Sequence, residues 1–304
     1  MDRLKVAIIG VGYLGTQHAR IISYLEDVEL KGVVDIDLKK AMLIGNRHRV
    51  AYCENFEDML DDIDAGIVAA PTSEHFHISR ALLKAGKHVL LEKPMTDTVE
   101  QGETLVELAR KNNLILQVGH LERFNPAVES LKSLISEPRF IEVQRLGSFS
   151  ARSLDTNVVL DLMIHDLDII LDLIDDKVKL IRSTGIHVLS EKFDIANARI
   201  EFESGCVATL TASRVHQGKV RTLRIFEPTA YYSIDYIDQE VKVFPLNGRQ
   251  TDVRTLKIKK EEPLKKELDN FFACVREGET RKVSGEEGLR ALKLAHEVLG
   301  EIEE

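Results

Sequence analysis

Cysteine is scarce in this 304-residue chain: Cys53, Cys206 and Cys274 are odd in number and far apart. No Cys-x-x-Cys pair occurs, which removes any readable disulfide framework or zinc knuckle and fits a reducing compartment. Long hydrophobic runs are missing too. No stretch of about 18 apolar residues exists, so no membrane span is expected. The short run Val-Ala-Ile-Ile-Gly near the N-terminus meets glycine at once and lacks a small-residue cleavage site, so it does not read as a signal peptide. A cytoplasmic location is the expectation. Positive charge is not in excess either, since 41 Lys and Arg against 50 Asp and Glu give a formal charge of -9. A nucleic-acid binder needs a basic face to neutralise phosphates, so that partner class is not expected. Internal repeats and low-complexity linkers are also absent.

What is present is an ordinary globular balance, 44% apolar and 30% charged, on a chain long enough for two domains. Short β-branched runs at Lys5–Ile9, Glu29–Asp35, Ala65–Ala69, His88–Glu92 and Leu114–Val118 alternate with helical patterns at Leu14–Leu25, Leu38–Gly45, Ser73–Ala85 and Thr98–Asn112. Strands alternating with helices predict a doubly wound parallel α/β sheet. After Arg123 the pattern changes. A helix near Asn125–Ser136, a strand at Phe140–Phe149 and an apolar helix at Val158–Ile174 lead into strand-like runs from Val178 to Ile258, with turn signals at Glu203-Ser204-Gly205 and Asn247-Gly248. Helices at Pro263–Glu277 and Gly285–Glu301 close the chain. The expected fold is a Rossmann domain over 1–121 and an α+β domain over 122–304 with a largely antiparallel, meander-like open sheet.

The motif GVGYLG runs from Gly10 through Val11, Gly12, Tyr13 and Leu14 to Gly15, directly between a predicted strand and a predicted helix. The first glycine permits the tight turn, the second lets backbone approach a pyrophosphate, and the third allows close helix–strand packing. The helix N-terminus then offers free N–H groups to phosphate. Asp35 ends the next strand at the position of an acid that binds the adenosine ribose hydroxyls. A carboxylate there accepts from a free 2′-hydroxyl and repels a 2′-phosphate, and Ile36 and Asp37 follow rather than Arg, so NAD is favoured over NADP. Lys39 and Lys40 lie near enough to temper that preference.

With Glu92-Lys93-Pro94 added, the chain resembles the glucose-fructose oxidoreductase/inositol dehydrogenase/MocA family over nearly its whole length. The resemblance is carried by APTSEH (Ala70–His75), LEKPMTDTVE (Leu91–Glu100), VGHLERFNPAV (Val118–Val128), DLMIHDLD (Asp161–Asp168), PLKKELDNFF (Pro263–Phe272) and SGEEGLRAL (Ser284–Leu292). Within the family, the block Gly119–Val128 and the short C-terminal domain are most similar to the branch that oxidises the 3-hydroxyl of UDP-N-acetylglucosamine to a ketone. The resemblance also implies a cis Lys93–Pro94 bond, a nicotinamide pocket lined by Pro71, Thr72 and His75, and assembly into a homo-oligomer, dimer or tetramer, through the second sheet. One departure stands out. Relatives often carry consecutive glycines before the Asp-x-x-x-His helix, where this chain reads Asp155-Thr156-Asn157-Val158-Val159-Leu160, so no substrate contact is carried over from those glycines.

Lys93 ends a buried-type strand, at the carboxyl edge where open α/β sheets bind ligands. It is expected to orient and discharge a substrate hydroxyl and to stabilise the developing oxyanion. Asp161, His165, Asp168 and Asp172 fall at steps of four, three and four on the apolar helix, apart from the core stripe that includes Leu160, Met163, Ile164 and Leu167. A carboxylate beside an imidazole holds its tautomer, the pattern of a general base. The spacing alone also allows a solvent- or subunit-facing stripe, and Asp161 could touch the sugar directly. By resemblance, His165 is the partner of Lys93. Further expected substrate contacts are His120, Arg123, Asn125 and Arg152, with Glu92 and Pro94 beside the cofactor. His75 and His77 form an HxH pair with no evident third ligand, so no metal is expected. The segment Arg214–Arg224 carries four Lys and Arg residues and no acid, a candidate grip for a diphosphate or merely a basic strand. The expected activity is NAD-dependent oxidation of a nucleotide sugar. Rival readings are a dehydrogenase for another sugar or cyclitol, an NAD-dependent glycosidase, and a non-catalytic NAD-binding sensor.

Overall fold

The computed structural model describes residues 3–149, 156–246, 252–278 and 282–303. Arg152 and the Asn247-Gly248 turn therefore lie outside the described residues. The chain forms two compact units. The first comprises Met1–His120 with Leu264–Leu289, and the second Leu121–Pro263 with Arg290–Glu304. The division at residue 121 is thus displaced by one residue, and the expectation needs correcting at the C-terminal end. Leu264–Leu289 belongs with the first unit because its backbone joins that sheet: Val118 N–H donates to Val283 O (3.1 Å), and Gln117 Nε2 donates to Glu267 O (3.3 Å).

The first unit is a six-stranded, all-parallel sheet in the order β3-β2-β1-β4-β5-β6. Its strands are β1 (Leu4–Ile9), β2 (Val28–Val34), β3 (Ala51–Cys53), β4 (Ala65–Val68), β5 (His88–Glu92) and β6 (Leu116–Gly119). Crossover helices are α1 (Tyr13–Ile22), α2 (Leu38–His48), α3 (Thr72–Lys84) and α4 (Val99–Lys111). Strands buried on both faces read as continuous apolar runs, and Val6, Ala7, Ile8, Ile67, Val89 and Leu91 are all fully buried. The strand order reverses between β1 and β4, which places the switch point, and so the ligand crevice, at the carboxyl ends of those strands. β3 was not legible in the sequence: three residues at the sheet edge are too short to set a period.

The second unit holds α5 (Pro126–Leu131), α6 (Ile164–Leu173) and an eight-stranded sheet. Its strands are β7 (Phe140–Leu146), β8 (Val178–Ile186), β9 (Ile195–Phe202), β10 (Val207–Ser213), β11 (Val220–Phe226), β12 (Ala230–Asp235), β13 (Glu240–Pro245) and β14 (Arg254–Thr255). The order is β14-β13-β12-β11-β7-β10-β9-β8. The sheet is mostly antiparallel, as expected, but it is not a plain meander. β7 inserts between β11 and β10 and runs parallel to β10. The last helices are α7 (Pro263–Glu277) and α8 (Gly285–Glu303).

Candidate active site

Three glycines shape the loop after β1, each for a different reason. Gly10 has φ +92°, and a Cβ there would lie 2.6 Å from the Ala69 and Ala70 backbone. Gly15 lies against the loop itself, where a Cβ would fall 1.9 Å from Gly10 O. Gly12 is the opposite case: among the described residues, no atom beyond its two chain neighbours lies within 4 Å of its Cβ position. That open space lies at the N-terminus of α1, which no side chain caps. Thr16 Oγ1 fastens the loop from the helix side by donating to Val11 O at 3.2 Å.

Asp35, just past β2, accepts from Val11 N–H through Oδ2 (3.0 Å) and from Asp37 N–H through Oδ1 (2.9 Å). Its carboxylate thereby fixes the glycine loop. Lys40 is drawn to the neighbouring Asp37 (3.6 Å), which also caps α2. The clear cradle at Gly12, the uncapped helix and the placed carboxylate fit a dinucleotide. Tyr13 is largely exposed beside them.

At the carboxyl end of β5, Glu92 is buried and bonded to His18 of α1, Lys93 is half-buried, and the Lys93–Pro94 peptide is cis, as the resemblance implied. His75, in the first turns of α3, spans Pro94 O through Nδ1 and Ala70 O through Nε2, each at 2.9 Å. Burial holds its pKa below the ordinary imidazole value, although both carbonyls favour the charged ring. Its position therefore ties the loop after β4, with Pro71 and Thr72, to the segment carrying Lys93. His77 points elsewhere, exposed and edge-on to Phe56, so the two histidines of the HxH pair do not converge.

In the second unit the apolar helix does not run regularly from Val158 to Ile174. Asp161 lies in a π-type turn, Val159–Met163, and His165 in the first turn of α6. The step-of-four argument fails there, because a π turn advances the chain by more residues per turn than an α-helix. Asn157 caps this turn: its Oδ1 accepts from Val159 and Leu160 N–H, both at 3.0 Å. Asp161 and His165 are both half-buried.

Two buried charge clusters flank His165, and sequence reasoning missed both. Arg145 donates to Asp166 through Nε (2.6 Å) and Nη2 (2.8 Å), donates to Glu122 through Nη1 (3.0 Å), and lies 5.2 Å from the Tyr236 ring centroid. Burial, then the Asp166 charge, pushes the Tyr236 phenol well above its usual range. Arg123, expected as a substrate contact, is buried and pairs with Asp168 (3.3 Å) and Asp172 (2.7 Å). The polar stripe of α6 is therefore divided, its C-terminal half facing an internal guanidinium. Asn125 caps α5 through Ala127 N–H and donates to Tyr236 O (3.0 Å). His120 is fully buried at the end of the first unit. The one available signal for Arg145 was strand alternation, which aims it the same way as the buried Ile141 and Val143.

The basic segment from Arg214 to Arg224 also reads differently in three dimensions. Arg214 is buried, donating to Asp194 (2.7 Å), Ser190 Oγ and Thr156 O. Arg224 pairs with Glu142 (2.9 Å), and Arg221 donates to Leu146 O (2.6 Å). An internal ion pair, not a diphosphate, occupies Arg214.

Fold and glycine loop together define a Rossmann oxidoreductase that binds a nicotinamide dinucleotide. The chain belongs to the Gfo/Idh/MocA family: residues 4–120 match the oxidoreductase family with an NAD-binding Rossmann fold, and 128–229 match the GFO/IDH/MocA C-terminal domain. It is 32% identical to UDP-N-acetylglucosamine 3-dehydrogenase of Acidithiobacillus ferrooxidans over 98% of this chain and 97% of that protein. A solved structure of UDP-N-acetylglucosamine 3-dehydrogenase from that organism superposes with a TM-score of 0.94, 31% identity and coverage of 100% and 99% of the two chains. Myo-inositol 2-dehydrogenase of Thermotoga maritima is 24% identical over 99% of this chain and 97% of its own length. Among the described residues, no helix is long and apolar enough to cross a membrane.

Proposed function

We propose that this chain is an NAD-dependent dehydrogenase that oxidises the 3-hydroxyl of UDP-N-acetylglucosamine to a ketone. The observation that carries the reading is full-length similarity to UDP-N-acetylglucosamine 3-dehydrogenase, in sequence and in fold, with the Lys93 and His165 motifs intact. Gly10, Gly12, Tyr13, Leu14 and Gly15 hold the pyrophosphate, and Asp35 binds the ribose hydroxyls and sets the preference for NAD. When bound, the dinucleotide supplies a two-electron acceptor.

The chain's own groups do the rest. Lys93 donates a hydrogen bond to the hydroxyl oxygen and stabilises the negative charge that grows there. His165 accepts the hydroxyl proton, so that the carbon hydrogen can leave with its electron pair and the C–O bond becomes a carbonyl. Asp161 binds the sugar or orients His165. Glu92, Pro94, Pro71, Thr72 and His75 shape the pocket beside Lys93. Of the expected substrate contacts, His120 and Arg152 stay in the proposal. Arg123 and Asn125 act through the fold, because Asp172 holds the first and the Tyr236 carbonyl accepts from the second inside the second unit.

A homo-oligomer is part of this reading. Phe140, Phe226, Tyr231 and Phe244 form one row across four strands, with ring centroids 4.7–5.7 Å apart, on the face opposite buried Ile141, Leu223 and Ile225. A cyclitol dehydrogenase is the second reading, favoured by the inositol 2-dehydrogenase relative. Purified protein is mixed with NAD and either UDP-N-acetylglucosamine or myo-inositol, with and without a keto acid to reoxidise retained cofactor. NADH absorbance or a 3-keto product only with the nucleotide sugar supports the first reading. Turnover only with inositol refutes it. Free N-acetylglucosamine without net NADH indicates a hydrolase, and silence with both substrates indicates a sensor.

A further inference from the structure

Three buried ionisable side chains meet in the first unit, one of them, His18, outside the motifs. His18 on α1 and Glu267 on α7 are fully buried, and Glu92 is 6% exposed. One nitrogen or oxygen of each lies within 4.8 Å of one from both others. His18 Nε2 is 2.8 Å from Glu92 Oε1. Neither Glu267 oxygen has a hydrogen-bond partner among the described residues, and neither does His18 Nδ1. Gly119 makes room for the cluster, since a Cβ there would lie 2.8 Å from Glu92 Oε2.

Two carboxylates this close in a buried core do not both ionise. A cation or a proton has to compensate them. A cation holding both His18 and Glu92 through bonds of about 2.0–2.1 Å would keep its ligands about 3 Å apart or more. The 2.8 Å spacing is that of a hydrogen bond with its proton in place.

We propose that Glu267 is a proton-bearing positioning residue: as a neutral acid it faces the Glu92 carboxylate that His18 holds, and so steadies the end of β5 that carries Lys93. Burial, then the charge on Glu92, raises the Glu267 carboxyl well above the usual carboxylate range. The titratable groups facing it are Glu92 from β5 and His18 from α1, while the Gln117 amide of β6 donates to the Glu267 backbone carbonyl. Because α1 starts on the glycine loop, the trio joins that loop, the strand end and α7. A charged Glu267 would repel Glu92 and loosen all three. The effect on Lys93 rests on its catalytic role proposed above; the protonation of Glu267 does not.

The sign of the pH effect follows from the raised pKa. Folded protein keeps a proton that the unfolded chain releases near 4.5, so the stability from Glu267 is full below that pH and is lost as pH rises toward the folded pKa. Thermal melting of wild type and Glu267→Gln, from about pH 4 to about pH 9, tests this without any substrate. The expected result is similar melting at the acid end and a variant advantage that grows through neutral pH. A difference independent of pH overturns the proposal. Isotope-edited infrared spectra of wild type labelled with 13C-glutamate should show a carboxylic-acid band at neutral pH that Glu267→Gln lacks, and absence of the band from wild type overturns it even if the variant fails to fold. A stoichiometric divalent metal in purified wild type assigns the compensation to a cation and also overturns it. In turnover with whichever substrate is oxidised, Glu267→Leu should lower kcat about tenfold with KM little changed, and Glu267→Gln should restore it; failure of that rescue refutes the positioning role.

Discussion

Gly12 and Gly15 sit three residues apart in one motif, and alanine at each should fail for a different physical reason. At Gly15 the added methyl would fall 1.9 Å from Gly10 O and 2.9 Å from Gly10 C, both backbone atoms that no rotamer change can move. Relief requires α1 to shift by more than 1 Å from the loop, a strain at or above the top of the about 1–3 kcal/mol typical of overpacking. For a unit of this size that lowers Tm by about 6–12 °C. At Gly12 the methyl meets no described atom beyond its chain neighbours, and φ is -65°, outside the left-handed region. The Gly12→Ala protein should melt within about 1 °C of wild type. Its defect should appear only when a pyrophosphate must occupy the same space, as a loss of NADH affinity of at least about tenfold, or about 1.4 kcal/mol. Differential scanning fluorimetry and NADH fluorescence titration on the three proteins separate the effects. If Gly12→Ala melts as low as Gly15→Ala, or binds NADH like wild type, the assignment of open space over Gly12 to the cofactor is wrong.

Other outcomes follow from the same geometry. Asp35→Asn removes the charge that repels a 2′-phosphate, so the ratio of NADP to NAD dissociation constants should fall about tenfold in paired titrations; an unchanged ratio refutes its role in cofactor choice. Lys93→Met and His165→Asn should each lower kcat by about 10²–10⁴-fold while cofactor affinity and Tm stay near wild type, which steady-state kinetics beside melting curves will check. Burial works to raise the Asp194 carboxyl, but the Leu189 and Val188 amides, Arg214 and Ser190 outweigh it and hold its pKa well below the usual range. Its stabilisation is therefore full above the ordinary value of 3.8 and is lost as pH falls toward the folded pKa. Asp194→Ala, which strands Arg214, should cost about 3–5 kcal/mol in urea unfolding at neutral pH and less in acid. Tyr231→Lys, in the middle of the aromatic row, should reduce the mass measured by light scattering to that of a single chain, while a wild type that is already monomeric removes the proposed assembly.

Legibility in the sequence depended on how local each signal was. β5 and α7 were placed at their observed ends, because a β-branched run closing on Glu-Lys-Pro and a helix opening with proline carry their own boundaries. The glycine loop and Asp35 were legible for the same reason: their chemistry lies within one strand–turn–helix unit. α6 was found but not its π turn, since apolar spacing tolerates one extra residue. The basic segment from Arg214 left two readings open, because charge in a sequence does not disclose that Asp194 waits across a loop to neutralise Arg214. Arg145 carried no sequence signal that was used, and Arg123 was expected at the substrate; the acids that pair with both come into contact only through folding.

By itself, the sequence determined the parallel Rossmann order of alternation, the dinucleotide loop, the carboxylate at the end of β2 and the residues eligible for hydroxyl chemistry, since each is fixed by backbone geometry over a few residues. Only the tertiary structure decided that β7 lies between β10 and β11, that Leu264–Leu289 completes the first unit, and that His18, Glu92 and Glu267 lie together in its buried interior. The physical reason is common to all three. Strand insertion, tail docking and the charge state of a buried acid depend on partners distant in the chain, and neither spacing nor composition records who those partners are.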